Sequence, residues 1–406
     1  MRSIHLNMCS GLIFIITFVC CENYVTSQEN LHLDKIFNHP EQSNLGFNEL
    51  ATKYGHPATE YEVITEDGYI LSLFRLAGES RVPVLLTHGI QGTADAWLLR
   101  GKQSLGITLA DKGYDVWIGN FRGNQYSRRH QYLNPDLDDS YWNFSFHEMG
   151  YFDLPAFIDT VLNETKATKL AAVGHSQGNT AFYVLGSTRA EYNSKVSVMI
   201  ALAPICFLQN TKFPVSIAIQ NAPLLNALAN KIGLTEVLGD KTTLGRLLFK
   251  ICSLPLLGYA FCVFGLYFPL FGYDPAELEP EFFKDIATYF PTGGSWKSIG
   301  HYLQVGYRKE FSLYDYGSQI NMKVYNTSTP PAYDLSRVTM PVALFIGRND
   351  HLSTIKDVDI LRNRLSNIVS YFVVPRLLLN HGDYVWGRHM YVYLYPEIFK
   401  LLSQYR

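Results

Sequence analysis

Residues 169–186 read KLAAVGHSQGNTAFYVLG. An apolar run enters Gly174-His175-Ser176-Gln177-Gly178 and leaves in a segment with helical spacing. This is G-x-S-x-G between a strand and a helix. There the two glycines, Gly174 and Gly178, permit a turn sharp enough to lift the Ser176 hydroxyl above a sheet and onto a helix N-terminus. The same pentapeptide in an ordinary glycine-rich turn carries no chemistry, so the reading depends on partners elsewhere in the chain.

A serine hydroxyl is a weak nucleophile until a base takes its proton, and the base needs a carboxylate to orient it. In this kind of fold the chain order is Ser, then Asp or Glu, then His, on loops that follow later strands. VALFIGRND puts Asp350 at the end of an apolar run, and YFVVPRLLLNHGDY puts His381 after another. The order therefore selects Ser176 as nucleophile, Asp350 as the group that orients the base, and His381 as general acid and base. His351 and His389 are the rival bases. Charge on a tetrahedral oxyanion needs preorganised N–H donors. Gln177, after the serine, supplies one, and Ile90, in the loop after PVLLTHG, supplies the other. His88 braces that loop, His175 and Gln177 use their side chains to pack the elbow, and Asn120, Arg122 and Gly123 are structural, with Arg122 paired to a buried carboxylate.

Outward from this centre, YEVITEDGYILSLFRLAG reads as two antiparallel strands around Asp67-Gly68. PVLLTHG, YDVWIGN, KLAAVGHS, VSVMIALAP, VALFIGRND and YFVVP are short apolar runs alternating with helical segments such as 154–162 and 178–190. Strands buried on both faces and separated by helices indicate an α/β fold built on a mostly parallel, doubly wound sheet. Between about 204 and 341 the strand pattern disappears, and a stretch that long reads as an inserted, mainly helical cap. The expected division is a leader over 1–27, cleaved after Cys21 or Ser27, core over 28–205, cap and lid over 206–338, and core over 339–406.

Net charge is −2, which leaves no basic footprint for nucleic acid. Charged residues make up only 17% and aromatics 14%, a balance that suits large apolar surfaces. Arg2, an apolar core over 11–19 and the polar residues after it form a secretory signal. Cys9, Cys20 and Cys21 leave with it. Of the remaining Cys206, Cys252 and Cys262, the latter two are close in the chain and are paired, leaving Cys206 buried and free. Asn143, Asn163 and Asn326 sit in glycosylation triplets. Residues 251–273, ICSLPLLGYAFCVFGLYFPLFGY, contain no charge and are long enough for a membrane span. A single crossing there would put Ser176 on one side of the bilayer and Asp350 and His381 on the other, so the run reads as a lid over the site, with Pro255, Pro269, Gly258 and Gly265 interrupting it.

YEVITEDGYIL, HGIQGTADAW, ADKGYDVWIGNFRGNQYSRRH, FSFHEMGYFDLPAFID, VGHSQGNTAF and NHGDYVW together resemble the acid lipases of the gastric and lysosomal type, and the secreted arthropod lipases most of all. The resemblance covers nearly all of the chain after about residue 45. It implies an α/β-hydrolase with a cap and lid that hydrolyses triacylglycerols or cholesteryl esters without a cofactor or metal. It carries the same roles onto Ser176, Asp350, His381, Ile90 and Gln177, and a lid disulfide onto Cys252 and Cys262. Departures fall at Gly382, where a Leu is usual, at Arg348, where a Gly is common, and at Phe271, near a third cysteine of gastric members. The expected protein is a secreted or lysosomal monomer that acts on neutral lipid at an oil–water or micelle interface. A carboxylesterase for soluble esters and a non-catalytic lipid-binding or storage protein are the alternatives.

Overall fold

The computed structural model describes residues 45–405 apart from 81, 240, 255 and 256. The leader with Cys9, Cys20 and Cys21, and the interrupting Pro255, lie outside the described residues. Eleven strands follow one another as β1 (Ala58–Ile64), β2 (Tyr69–Leu76), β3 (Val84–Thr87), β4 (Val116–Gly119), β5 (Arg129–His130), β6 (Leu170–His175), β7 (Val196–Leu202), β8 (Glu236–Val237), β9 (Gly294–Ser295), β10 (Val342–Ile346) and β11 (Ile368–Val373). Nine of them form one sheet in the order β1-β2-β4-β3-β6-β7-β10-β11, with β5 beside β2. From β4 to β11 all pairings are parallel, and β2 meets β1, β4 and β5 antiparallel.

The apolar runs act as strands because both faces of this sheet are covered. Leu86, Ile118, Val173, Ile200 and Phe345 point into one core with Phe47, Leu109 and the C-terminal helix Tyr395–Gln404. Their chain neighbours Leu85, Trp117, Ala172, Met199 and Leu344 point into a second core, closed by α1 (Leu154–Thr165) and α2 (Gln177–Thr188). Burying a side chain of this size contributes roughly 1.5–3 kcal/mol, so a slip of one residue in register would exchange the two cores and is strongly disfavoured. The chain departs from β3 to β4 on one side and to β6 on the other, so the crevice beyond the C-terminal ends of β3 and β6 is the switch point where open α/β sheets place ligands.

Between β7 and β10 the chain is mostly helical, with α3 (Ala222–Ile232), α4 (Thr243–Cys252), α5 (Pro280–Tyr289) and α6 (Trp296–Arg308). One expectation needs correction, since strand structure does not vanish here: β8 and β9 pair antiparallel, two residues each. Pairs that short lack the alternating run by which a strand is recognised in sequence. The uncharged segment is also no single helix. After α4 it passes through a wide, π-type stretch over Tyr259–Tyr267 and a short turn over Phe268–Phe271. Among the described residues no helix is long and apolar enough to cross a membrane. Cys252 and Cys262 are joined in a disulfide. Cys206 is free and buried, and burial pushes its thiol well above the ordinary range.

Arg122 locks the β1–β2 turn to the second core. Its guanidinium donates to Asp153 Oδ1 from Nε at 2.8 Å and from Nη2 at 2.6 Å, and to Asp67 Oδ2 from Nη1 at 2.6 Å. It lies 3.9 Å from the centre of the Tyr69 ring. Arg122 and Asp153 are both fully enclosed. Replacing Arg122 by Ala strands the Asp153 carboxylate, and a loss of about 3–5 kcal/mol is expected in urea unfolding. A loss below about 1 kcal/mol, the scale of an exposed pair, would contradict this account.

Candidate active site

Ser176 follows β6 and caps α2 with φ 52° and ψ −114°, a left-handed backbone that a serine adopts only under constraint. The constraint comes from all sides. Ser176 donates its N–H to the Leu202 carbonyl at 3.0 Å, and Asn179 Nδ2 donates to the same oxygen at 2.6 Å. A side chain at Gly174 would come 2.6 Å from Asn179 Oδ1, and one at Gly178 would come 2.6 Å from Thr87 Oγ1. Close packing of strand, turn and helix therefore requires both glycines.

Three side chains meet above this turn. Ser176 Oγ donates to His381 Nε2 at 2.8 Å, and His381 Nδ1 donates to both Asp350 oxygens at 2.9 and 3.0 Å. Asp350 Oδ1 also accepts the N–H groups of Leu352 at 2.9 Å and Ser353 at 2.8 Å. The carboxylate thereby fixes the tautomer that leaves Nε2 free to accept a proton. All three residues are buried. Such an arrangement can pass the hydroxyl proton to a base and hold the imidazolium that results.

Four other histidines are engaged elsewhere. His88 donates from Nδ1 to the Gly89 carbonyl at 2.8 Å and accepts the Phe121 N–H on Nε2 at 3.1 Å; burial pushes its pKa down to about 4. His175 donates from Nε2 to the His381 carbonyl at 2.8 Å, and burial, aided by His381, pushes it down to about 3. His351 turns its Nδ1 to the Pro269 carbonyl at 3.1 Å, and His389 turns its own to Glu277 at 3.0 Å. Neither faces Ser176.

Ile90 follows β3 and lines a cavity of about 40 Å³ together with Ser176, His381, Trp97, Phe290 and Trp386. Gln177 stands at the first position of α2. Among the described residues, neither backbone N–H is taken by a protein acceptor. Asn143, Asn163 and Asn326 all stand exposed on the surface.

Sequence reasoning missed the supports of His381. Asn380 Oδ1 accepts the N–H groups of Gly382 and Asp383 at 2.9 and 3.1 Å, and Asp383 Oδ2 accepts that of Asn380 at 2.8 Å, so a closed turn presents His381. The Asn and Asp three residues apart in NHGD are the signal that could have revealed it. The bond from His175 to the His381 carbonyl joins residues 206 positions apart and leaves no local trace.

The chain matches the model of the alpha/beta hydrolase fold over residues 82–237 and that of the partial alpha/beta-hydrolase lipase region over 47–101. It is 35% identical to Lipase 1 of Drosophila melanogaster over 373 residues, 90% of this chain and 82% of that one. It is 34% identical to gastric triacylglycerol lipase of Mus musculus over 380 residues, 89% and 93% of the two chains. A solved structure from Sulfolobus solfataricus shares the fold with a TM-score of 0.58 at 15% identity, covering 86% of this chain and 95% of that one. The fold and these relatives define an ester-bond hydrolase of the α/β-hydrolase class. Within that class, the chain belongs to the lipase family that includes the gastric triacylglycerol lipases.

Behind the base lies a group of buried acids. Asp383, Asp274 and Glu277 are all enclosed, and Arg376 pairs with the last two. Burial pushes the Asp383 carboxyl well above the usual range, Asp274 and Glu277 push it further, and Arg376 opposes them. A carboxyl raised in the folded state binds its proton more tightly there than in the unfolded chain. The stability this provides is complete below the ordinary carboxyl value of about 4 and is lost as pH rises toward the elevated one. Asp383→Asn keeps an acceptor for the Asn380 N–H and removes the charge. Thermal unfolding of this variant should be nearly unchanged at about pH 4 and shifted upward at about pH 7; an equal loss at both would contradict the reading.

Proposed function

We propose that the protein hydrolyses long-chain triacylglycerol, with cholesteryl esters as a second substrate class, by an acyl-enzyme route at Ser176. Ser176 Oγ attacks the ester carbonyl as His381 Nε2 takes its proton, and Asp350 stabilises the imidazolium. The N–H groups of Ile90 and Gln177 receive the oxyanion. His381 returns the proton to the leaving alcohol, then activates the water that releases the fatty acid. The observation that carries this reading is the unbroken hydrogen-bonded line from Ser176 through His381 to Asp350. The gastric triacylglycerol lipases, at 33–34% identity over most of the chain, support the choice of substrate.

Residues 206–338 serve as cap and lid in this proposal. The cavity at Ser176, about 40 Å³, is far smaller than the roughly 300–1,000 Å³ of an open small-molecule pocket. A lipid ester reaches the serine only when the covering residues move. Over the same region, apolar side chains face solvent. Leu257 is 71% exposed, and Phe261 and Phe264 are exposed with it. Tyr273 lies 6.3 Å from Phe264, ring to ring. Asn349 Nδ2 donates to the carbonyls of both Tyr273 and Leu378, which brings exposed Leu377 and Leu378 to the same edge. An apolar surface of this kind at the mouth of a lipase site suits the surface of a lipid droplet or micelle.

Secretion or delivery to the lysosome accords with exposed Asn143, Asn163 and Asn326 as glycan acceptors, and the working unit in this proposal is a monomer. Fatty-acid release from emulsified triacylglycerol, cholesteryl oleate and a soluble short-chain ester tests the substrate assignment. Triacylglycerol turnover should rise when an interface forms and fall by about 10⁴-fold or more in Ser176→Ala. Activity on the soluble ester alone would make the protein a carboxylesterase, and none on any substrate would make it a binding protein. Leu257→Asp with Phe264→Asp should lower emulsion activity by about tenfold and leave soluble-ester turnover within about twofold; equal losses on both would argue against the surface assignment.

A further inference from the structure

The helical region does more than cover the site, because one of its carbonyls is bonded to both loops that carry the acid and the base. The Phe271 oxygen accepts the N–H of His381 at 3.0 Å and that of His351, beside Asp350, at 3.3 Å. Gly272, with φ 114°, makes this approach possible, since a side chain there would stand 2.1 Å from the Asn349 carbonyl oxygen. One helical turn before Phe271, Tyr267 is buried, and its ring meets that of Phe271 edge-on at 4.7 Å between centres. Its hydroxyl presses on the residue that follows the base. A Cβ built at Gly382 would lie 1.9 Å from Tyr267 Oη. That hydroxyl has no hydrogen-bond partner among the described residues. The contact with Gly382 is therefore one of shape, with the ring filling the space a side chain at 382 would need.

We propose that Tyr267 is a positioning residue for His381. The ring and the Phe271 carbonyl hold the turn 380–383 against the serine, and with it the 2.8 Å contact between Nε2 and Ser176 Oγ. Asp350 and the Asn380–Asp383 turn fix the tautomer and the turn's own shape; Tyr267 fixes where that turn sits. The inference rests on His381 being the base of the reaction. Loss of this contact leaves every triad member present and the pair badly placed, which lowers the rate of the chemical step more than substrate binding.

Gly382 has φ −88° and ψ −19°, a backbone open to any residue, so Gly382→Ala acts through packing: the new Cβ would stand 1.9 Å from Tyr267 Oη and 2.8 Å from its Cζ, with a milder contact to Trp386 Cε3 at 3.3 Å. With the full-length protein and a soluble short-chain ester, Gly382→Ala should lower kcat by about tenfold or more and leave KM within about threefold. Tyr267→Phe in the same chain removes the nearest atom and leaves Cζ at 2.8 Å, so it should restore part of kcat. Tyr267→Ala alone should lower kcat to a similar extent and speed hydrogen exchange at the His381 amide, with the thermal midpoint reporting whether the chain remains folded. Wild-type kcat together with wild-type exchange in Tyr267→Ala would overturn the proposal, as would a Gly382→Ala defect that Tyr267→Phe leaves untouched. Turnover that survives Ser176→Ala would sink the catalytic reading instead, and the exchange experiment would still judge the contact by itself.

Discussion

The left-handed backbone at Ser176 can exist only because neighbouring positions lack side chains. Gly174 clears Asn179, Gly178 clears Thr87, and Gly89 clears His175, against which its Cβ would come within 2.9 Å. A serine held at φ 52° costs on the order of 1–3 kcal/mol, offset by the bonds from Ser176 and Asn179 to Leu202 at the end of β7. The rest of the site follows from this turn. It puts the hydroxyl at the mouth of the crevice between β3 and β6 and the first N–H groups of α2 beside it. The loops after β3, β10 and β11 then have one point to converge on.

Convergence requires the loops to be stiff, and each is stiffened differently. The loop after β3 is braced by a neutral His88 between the Gly89 carbonyl and the Phe121 N–H. The loop after β10 wraps the Asp350 carboxylate with two backbone N–H groups. The loop after β11 closes on itself through Asn380 and Asp383, then leans on His175 from below and on Tyr267 and Phe271 from above. Support from above makes the helical region part of the site as well as its cover. The same region carries exposed leucines and phenylalanines, so one segment joins an apolar surface to the turn that holds His381.

Much of the site was legible in the sequence for a physical reason. A sharp turn between strand and helix needs glycines at set spacing, and strands buried on both faces must be continuous apolar runs. Each leaves a local mark. The chain order of Ser176, Asp350 and His381 then follows from where loops can lie on such a sheet. The Cys252–Cys262 pair was legible because ten residues of separation make closure easy. What left no mark was short or distant. β8 and β9 are two residues each, and their pairing joins positions nearly sixty residues apart in the chain. Arg122 could be given a buried acid but not its identity, since Asp67 and Asp153 come from a turn and a helix start far away in sequence.

Sequence by itself determined the doubly wound sheet, the elbow at Ser176, the order of its partners and the uncharged run that cannot be a membrane span without dividing the site. These depend on backbone sterics and hydrophobic periodicity, which act between near neighbours and repeat along the chain. Only the tertiary structure decided which of several histidines faces the serine, that His88 and His175 are buried as neutral struts, and that Tyr267 occupies the space left by Gly382. Those outcomes depend on burial and on contacts across the chain, from 33 positions between His88 and Phe121 to 206 between His175 and His381. Desolvation and close packing are properties of the folded whole, and no local pattern encodes them.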